Sequence, residues 1–193
     1  FWMTGAEGLA PGTAQARVVK LADGSVLNRY YDARAVPRTE SWMDDLATAA
    51  QTPERAPSQV YRDLRAGAES GWDFSSRWLD DPAQLSSIRT TSIVPVDLNS
   101  LLFQLEQTLA RASTASGARD DARHYQQLAA SRRADINTQL WDARQGYYVD
   151  RDLDSGQQRP ALTAATLFPL WLKVADTAQA RRTADAVEAG LLR

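Results

Sequence analysis

Cysteine is absent from all 193 residues, and histidine occurs once. Without cysteine the chain has no disulfide, no thiolate zinc site and no sulfur nucleophile. That absence leaves the compartment open, since a cysteine-free protein can work anywhere. A Ser-His-Asp triad could be assembled only around His124. His124 lies in the polar run Ala122-Arg123-His124-Tyr125-Gln126-Gln127, which reads as the exposed face of a helix. Neither sign of charge dominates: 22 Lys and Arg stand against 24 Asp and Glu, a net charge of −2, with the signs interspersed. The basic stripe that a nucleic acid or an anionic membrane surface calls for is missing. No apolar run approaches the roughly 20 residues of a membrane helix. Residues 1–20 lack the basic start and apolar block of a secretory signal. The chain does not begin with methionine, as expected of a fragment or a processed product, so the missing signal is silent on export. There is no glycine-rich phosphate loop, nucleotide motif or metal cluster. Asp150, Asp152 and Asp154 alternate, but the glycine and closing glutamate of an EF-hand are not in register with them.

What is present suits a globular core. The hydrophobic share is 44%, the length fits one domain, and neither a repeat nor a linker divides the chain. Residues 17–21 and 26–30 flank Ala22-Asp23-Gly24 and read as two strands about a turn. From Ser41 onward helical spacing takes over. Trp42, Leu46 and Ala49 predict a helix to Ala50; Ser58 is the expected cap of a second helix with Val60, Tyr61 and Leu64 on one side. Leu98, Leu101, Leu102, Leu105 and Leu109 form the clearest apolar stripe, with Asp97 a candidate cap and Gly117 the stop. The next helix is expected from Arg119 to Trp141, then a hairpin from Gly146 to Gln158. A helix over 162–174 broken near Pro169 and a last one over 177–192 complete the series. Periodicity alone gives a mostly helical protein.

The chemistry concentrates in Ala68-Glu69-Ser70-Gly71-Trp72-Asp73-Phe74-Ser75-Ser76-Arg77-Trp78. One carboxylate stands between two large aromatics, and apolar neighbours can turn a carboxyl group into a proton donor. Read from residue types alone, Asp73 could equally cap a helix starting at Phe74. Pro37-Arg38-Thr39-Glu40-Ser41-Trp42 sets a guanidinium two residues from a carboxylate. Such a pair can read vicinal hydroxyls, one group donating and the other accepting, or it can be a surface pair at a helix start.

The string around Asp73 resembles the central signature of the trehalases, glycoside hydrolase family 37. Pro37–Trp42 resembles that family's Pro-Arg-Pro-Glu-Ser segment, departing at Thr39, where a second proline is usual; the entry to the helix is then less rigid. Thr91-Ser92-Ile93-Val94-Pro95-Val96-Asp97-Leu98-Asn99-Ser100 is similar to its Pro-Val-Asp-Leu-Asn-Ser run. Phe1-Trp2-Met3, residues 26–31, Gln139-Leu140-Trp141 and Gly146-Tyr147-Tyr148 fit in the same order, so the likeness covers nearly the whole chain. It is to the bacterial, periplasmic branch.

The resemblance implies an all-α (α/α)6 toroid with minor β-hairpins, of which residues 1–193 would supply about half, as part of one catalytic domain. It implies inverting hydrolysis of α,α-trehalose to two glucose molecules, without a cofactor. Asp73 matches the family's general acid, and Arg38 and Glu40 match positions that bind sugar hydroxyls. Gly71 is expected to admit the ligand to the backbone or to take a positive φ. Arg77, Trp78, Asp97 and Asn99 would brace the pocket, and Phe1 and Trp2 would close it or fray. The family's early Gly-Gly-Arg-Phe-Arg-Glu segment and its later Gln-Trp-Asp segment have no match here, and its catalytic base is expected downstream. By itself the chain is therefore expected to be inactive, with helix faces left uncovered. Two alternatives stay open: a catalytically inactive sugar-binding domain of the same fold, and a toroidal glucosidase for another disaccharide.

Overall fold

Short runs between turn residues make short strands. In the computed structural model, which describes residues 1–192, β1 (Thr13–Gln15) and β2 (Val18–Lys20) pair antiparallel, with Thr13 opposite Lys20 and Gln15 opposite Val18. The two-residue turn between them holds Ala16 at φ 46°. β3 (Val26–Asn28) follows, as the sequence predicts. The chain divides into two compact units, Phe1–Ala22 with Asn28–Ile93, and Asp23–Leu27 with the chain from Val94 onward.

The first unit contains α1 (Trp42–Ala50) and α2 (Pro57–Glu69). Of the stripe expected on α1 only Ala49 is buried; Trp42 and Leu46 are exposed, and Asp45 turns inward instead. A charged residue takes that position because a buried guanidinium neutralises it there, as described below. Ser58 does not cap α2. The cap position is Ala56, with no side-chain bond, and Pro57 opens the helix. Proline suits that place because its missing N–H would have had no helical partner. Val60 and Leu64 are fully buried on α2, with Asp63, Arg65 and Gly67 inward beside them. Gly67 makes room for an aromatic: a Cβ there would lie 2.9 Å from Phe74 Cε1.

The unit boundary at Ile93 runs through β4 (Ile93–Val94). The second unit is built on α3 (Val96–Ser116) and α4 (Arg119–Gln139), which fold back on one another at Gly117, φ 80°. Leu98, Leu102, Phe103 and Ala110 are buried on α3, and Ala122, Ala129 and Ile136 on α4. Leu101 and Leu105 of the predicted stripe are exposed. Asp97 is not the cap of α3, which follows Pro95; it is buried in the first turn. α4 ends at Gln139, before Trp141, because Trp141 enters a strand.

That strand, β5 (Trp141–Asp142), pairs with β6 (Tyr147–Tyr148), and β7 (Asp150–Asp152) pairs with β8 (Gln158–Arg159). The single hairpin expected from 146 to 158 is therefore two. The long helix expected over 162–174 is a 3-10 turn at Ala164–Leu167 and a single turn, α5 (Phe168–Trp171). Pro169 has no N–H to extend the ladder and so confines the helix to its first turn. α6 (Thr177–Leu191) starts on Asp176, whose carboxylate accepts from Gln179 N at 2.8 Å while Gln179 Oε1 accepts from Asp176 N at 3.1 Å. Among the described residues no helix is long and apolar enough to cross a membrane.

Candidate functional site

Arg38, Glu40, Gly71 and Asp73 all belong to the first unit. Arg38 is the best held. Its backbone N–H donates to Asp45 Oδ2 at 2.7 Å, its Nε to the same oxygen at 3.1 Å, and Nη2 to Oδ1 at 2.7 Å. Both side chains are buried, Asp45 at 1% exposure. A fork held by both oxygens of one carboxylate has a fixed plane. Hydrogen bonding to Asp45 pushes the Arg38 guanidinium further up in pKa, burial opposes it, and the charges of Asp45, Glu40 and Asp73 add to the rise. Nη1 has no acceptor among the described residues and remains available to a ligand.

Arg38 also joins the two sequence motifs. Its Cζ lies 4.9 Å from the centroid of the Phe74 ring, a cation–π contact. Phe74 is thus wedged between Arg38 and the backbone of Gly67. Trp72 turns elsewhere: its ring faces Arg77 at 5.6 Å, and its carbonyl accepts from Trp78 Nε1 at 3.1 Å. Arg77 and Trp78 are both buried, with Arg77 Cζ 4.4 Å from the Trp78 ring. Bracing is the part this geometry gives them. The two aromatics beside Asp73 therefore pack on other groups and do not enclose its carboxylate, which is exposed and makes no hydrogen bond or ion pair among the described residues. Nor does Asp73 cap a helix. That task falls to Ser75, whose hydroxyl accepts from Arg77 N at 3.3 Å.

Gly71 has φ +72°, with nothing within 4 Å of where a Cβ would sit. Glycine is required there by the backbone angle and not by crowding. Glu40 is exposed in a 3-10 turn (Thr39–Ser41) and makes no hydrogen bond among the described residues. Glu69 is committed, accepting from Tyr31 N at 2.8 Å and Arg17 Nε at 3.0 Å. Arg17 in turn stands 4.0 Å from the centroid of Phe1 and 5.6 Å from that of Trp2, so the first two residues rest on a guanidinium. Arg38, Glu40 and Glu69 line a cavity of about 200 Å3 with Asp32, Arg65 and Ala68.

Asp97 and Asn99 lie in the second unit. Asn99 is fully buried and accepts from Arg132 Nη1 at 3.2 Å. His124 is exposed, as expected. Asp150 and Asp152 are engaged with backbone N–H groups of Val96 and Ser155, and no group of three His, Cys, Asp or Glu among the described residues could hold a metal ion. Sequence reasoning missed Asp45 and Arg65. The available signal was a charged residue at an inward position of an otherwise apolar helix face.

The sequence model of the family described as Trehalase matches residues 1–193. This chain belongs to the trehalase family. It is 56% identical over 192 residues to the periplasmic trehalases of Salmonella paratyphi B and Citrobacter koseri, covering 100% of itself and 34% of each of them. The chain thus spans about a third of the length of the curated relatives it matches. Among solved structures it is similar to neutral trehalase Nth1 from Saccharomyces cerevisiae, with a TM-score of 0.70 at 20% identity, over 93% of this chain and 36% of that one. At that identity the likeness speaks to fold alone: this trehalase-family chain folds as part of a helical toroid, as its sequence implied.

Proposed function

We propose that residues 1–193 form part of the catalytic domain of a periplasmic, inverting α,α-trehalase and supply its acid side. Trehalose joins two anomeric carbons, so the leaving group is itself a glucose. Asp73 donates a proton to the glycosidic oxygen. An exposed, uncommitted carboxyl on a loop whose neighbours are anchored can meet a substrate oxygen without first breaking a bond of its own. Arg38 presents Nη1 to a sugar hydroxyl and Glu40 accepts from another, while Gly71 sets the direction in which the loop delivers Asp73. An inverting enzyme places its second carboxylate about 6.5–9.5 Å away, leaving room for the attacking water.

The observation that carries this reading is the Arg38–Phe74 contact, which ties the sugar-reading segment to the loop bearing Asp73. The test is proton NMR of trehalose with the complete enzyme, wild type and Asp73→Asn. An initial mixture of α- and β-glucose, with the rate falling by about 10²–10⁴ in the variant, is the expected outcome. Trehalose binding without turnover would indicate an inactive sugar-binding domain. Turnover of a different disaccharide alone would indicate another glucosidase.

A further inference from the structure

The cavity of about 200 Å3 beside Arg38 holds one group that neither the reaction nor the fold accounts for. Five of its six lining residues are charged: Asp32, Arg38, Glu40, Arg65 and Glu69. Most of their polar atoms are spoken for. Asp32 accepts from Arg34 N at 2.8 Å and from Arg65 Nε at 2.8 Å. Glu69 is taken by Tyr31 and Arg17, and two of the three Arg38 nitrogens by Asp45. Arg65 differs. It is buried on α2, yet its guanidinium makes only the Nε bond to Asp32. Neither Nη nitrogen has an acceptor among the described residues, and neither is sealed in the interior.

Both Nη groups are uncommitted and open to solvent, so a ligand hydroxyl in the cavity can replace water as their acceptor. The chemistry of the walls says which kind of ligand. Most of these charges are already paired, Asp32 with Arg65, Arg38 with Asp45 and Glu69 with Arg17, so the walls select strongly for neither an anion nor a cation. A neutral polyhydroxyl compound suits such a cavity, because each hydroxyl can accept from a guanidinium and donate to a carboxylate. Resting on the trehalase reading above, we propose that Arg65, oriented by Asp32, is a substrate-binding residue that donates to sugar hydroxyls in the cavity it shares with Arg38 and Glu40. The planar fork matters more than the charge, since two Nη groups can bridge neighbouring oxygens as an ammonium cannot.

The test is kinetics of the complete enzyme on trehalose and on a series of singly deoxygenated trehaloses. Arg65→Gln is expected to raise KM for trehalose roughly ten- to a hundredfold, the size of a lost hydrogen bond to a charged group, with a smaller change in kcat. One deoxy compound should lose a similar factor with the wild type and little more with the variant, a coincidence that a purely structural role would not produce. Asp32→Asn, which removes the charge that orients Nε but keeps both Nη groups, should move KM less than Arg65→Gln. Should Arg65→Gln not fold, Arg65→Lys carries the same comparison. Arg65 variants with the wild-type KM and the wild-type response to every deoxy compound would overturn the assignment while leaving the trehalase reading intact. A wild-type enzyme that ignores trehalose altogether would overturn both.

Discussion

In the unit that carries Arg38 and Asp73, charged side chains are a larger share of the inward helix positions than in the other unit. Asp45, Asp63 and Arg65 are buried on α1 and α2, and each is paired: Asp45 with Arg38, Asp63 with Arg55 and Thr91, Arg65 with Asp32. The α3–α4 hairpin closes on Leu98, Leu102, Phe103, Ala129 and Ile136, and it also buries the ion pair of Glu106 with Arg132 at 2.8 Å. Burial of ions costs free energy that an apolar seam avoids. The first unit therefore spends stability to fix the orientation of polar groups, and the Glu106–Arg132 pair raises the same question within the second. Glu106 Oε2 is buried with no partner, so even that pair is incompletely satisfied.

The comparison breaks most sharply when each pair is replaced. Asp45→Asn leaves a buried guanidinium without its anion and is expected to cost about 3–5 kcal/mol, as is Glu106→Leu alone. The apolar double replacements should separate the units. Glu106→Leu with Arg132→Met removes both charges but takes a donor from the buried Asn99 Oδ1, so it is expected to cost about 1–3 kcal/mol and to leave kcat/KM on trehalose unchanged. Asp45→Leu with Arg38→Met avoids a lone buried charge but strands the backbone N–H of residue 38, so it recovers stability only in part, and kcat/KM should fall by a factor of about a hundred or more, because the guanidinium proposed to read the substrate is lost. Urea melts and steady-state rates on the four variants of the complete enzyme decide this. Full activity in the Arg38→Met double variant would mean that the first unit's pairs are no more functional than the second's.

Those pairs also mark where the sequence stopped being legible. The Asp73 motif could be read because its residues are contiguous, and Gly71 because a positive φ leaves its mark in residue type. Helix existence was legible from periodicity in α1, α2, α3, α4 and α6. Asp45 and Arg65 were not, because their roles depend on partners far away in sequence: seven residues off for Asp45 and 33 for Arg65. Where the Trp72 and Phe74 rings would point was not legible for the same reason, since each packs on an arginine. At the start of α2 proline geometry decided the boundary over the nearby serine, and Trp141 left α4 because the cross-strand Tyr148 took it up.

A finer difference concerns pH. Burial pushes the Asp63 carboxyl above its ordinary value, against the bonds from Thr91 and Arg55 that favour its ionised form. With the folded pKa above the unfolded one, folding favours the protonated group. The stability it contributes is complete below the usual carboxyl value of about 4 and is lost as pH rises through the raised folded value. Asp63→Asn removes that titration. The stability difference between wild type and variant should therefore shrink as pH rises from about 4 toward neutrality, measured by urea melts at stepped pH. A difference that grows over the same window would mean that the donors of Thr91 and Arg55 outweigh burial.

The smallest expected effect lies in the second unit, where polar groups serve a helix end. Asp176 and Gln179 satisfy each other's backbone N–H at the start of α6. Asp176 is exposed, so its removal strands donors that water can still reach. Asp176→Ala should then cost only about 1 kcal/mol. The contrast with Asp45 is informative because both carboxylates accept from a backbone N–H, at 2.8 Å from Gln179 and 2.7 Å from Arg38. Similar bond lengths with a several-fold difference in cost would place the difference in burial and in the guanidinium left behind. A loss at Asp176 as large as that at Asp45 would instead show that the backbone bond itself dominates at both sites.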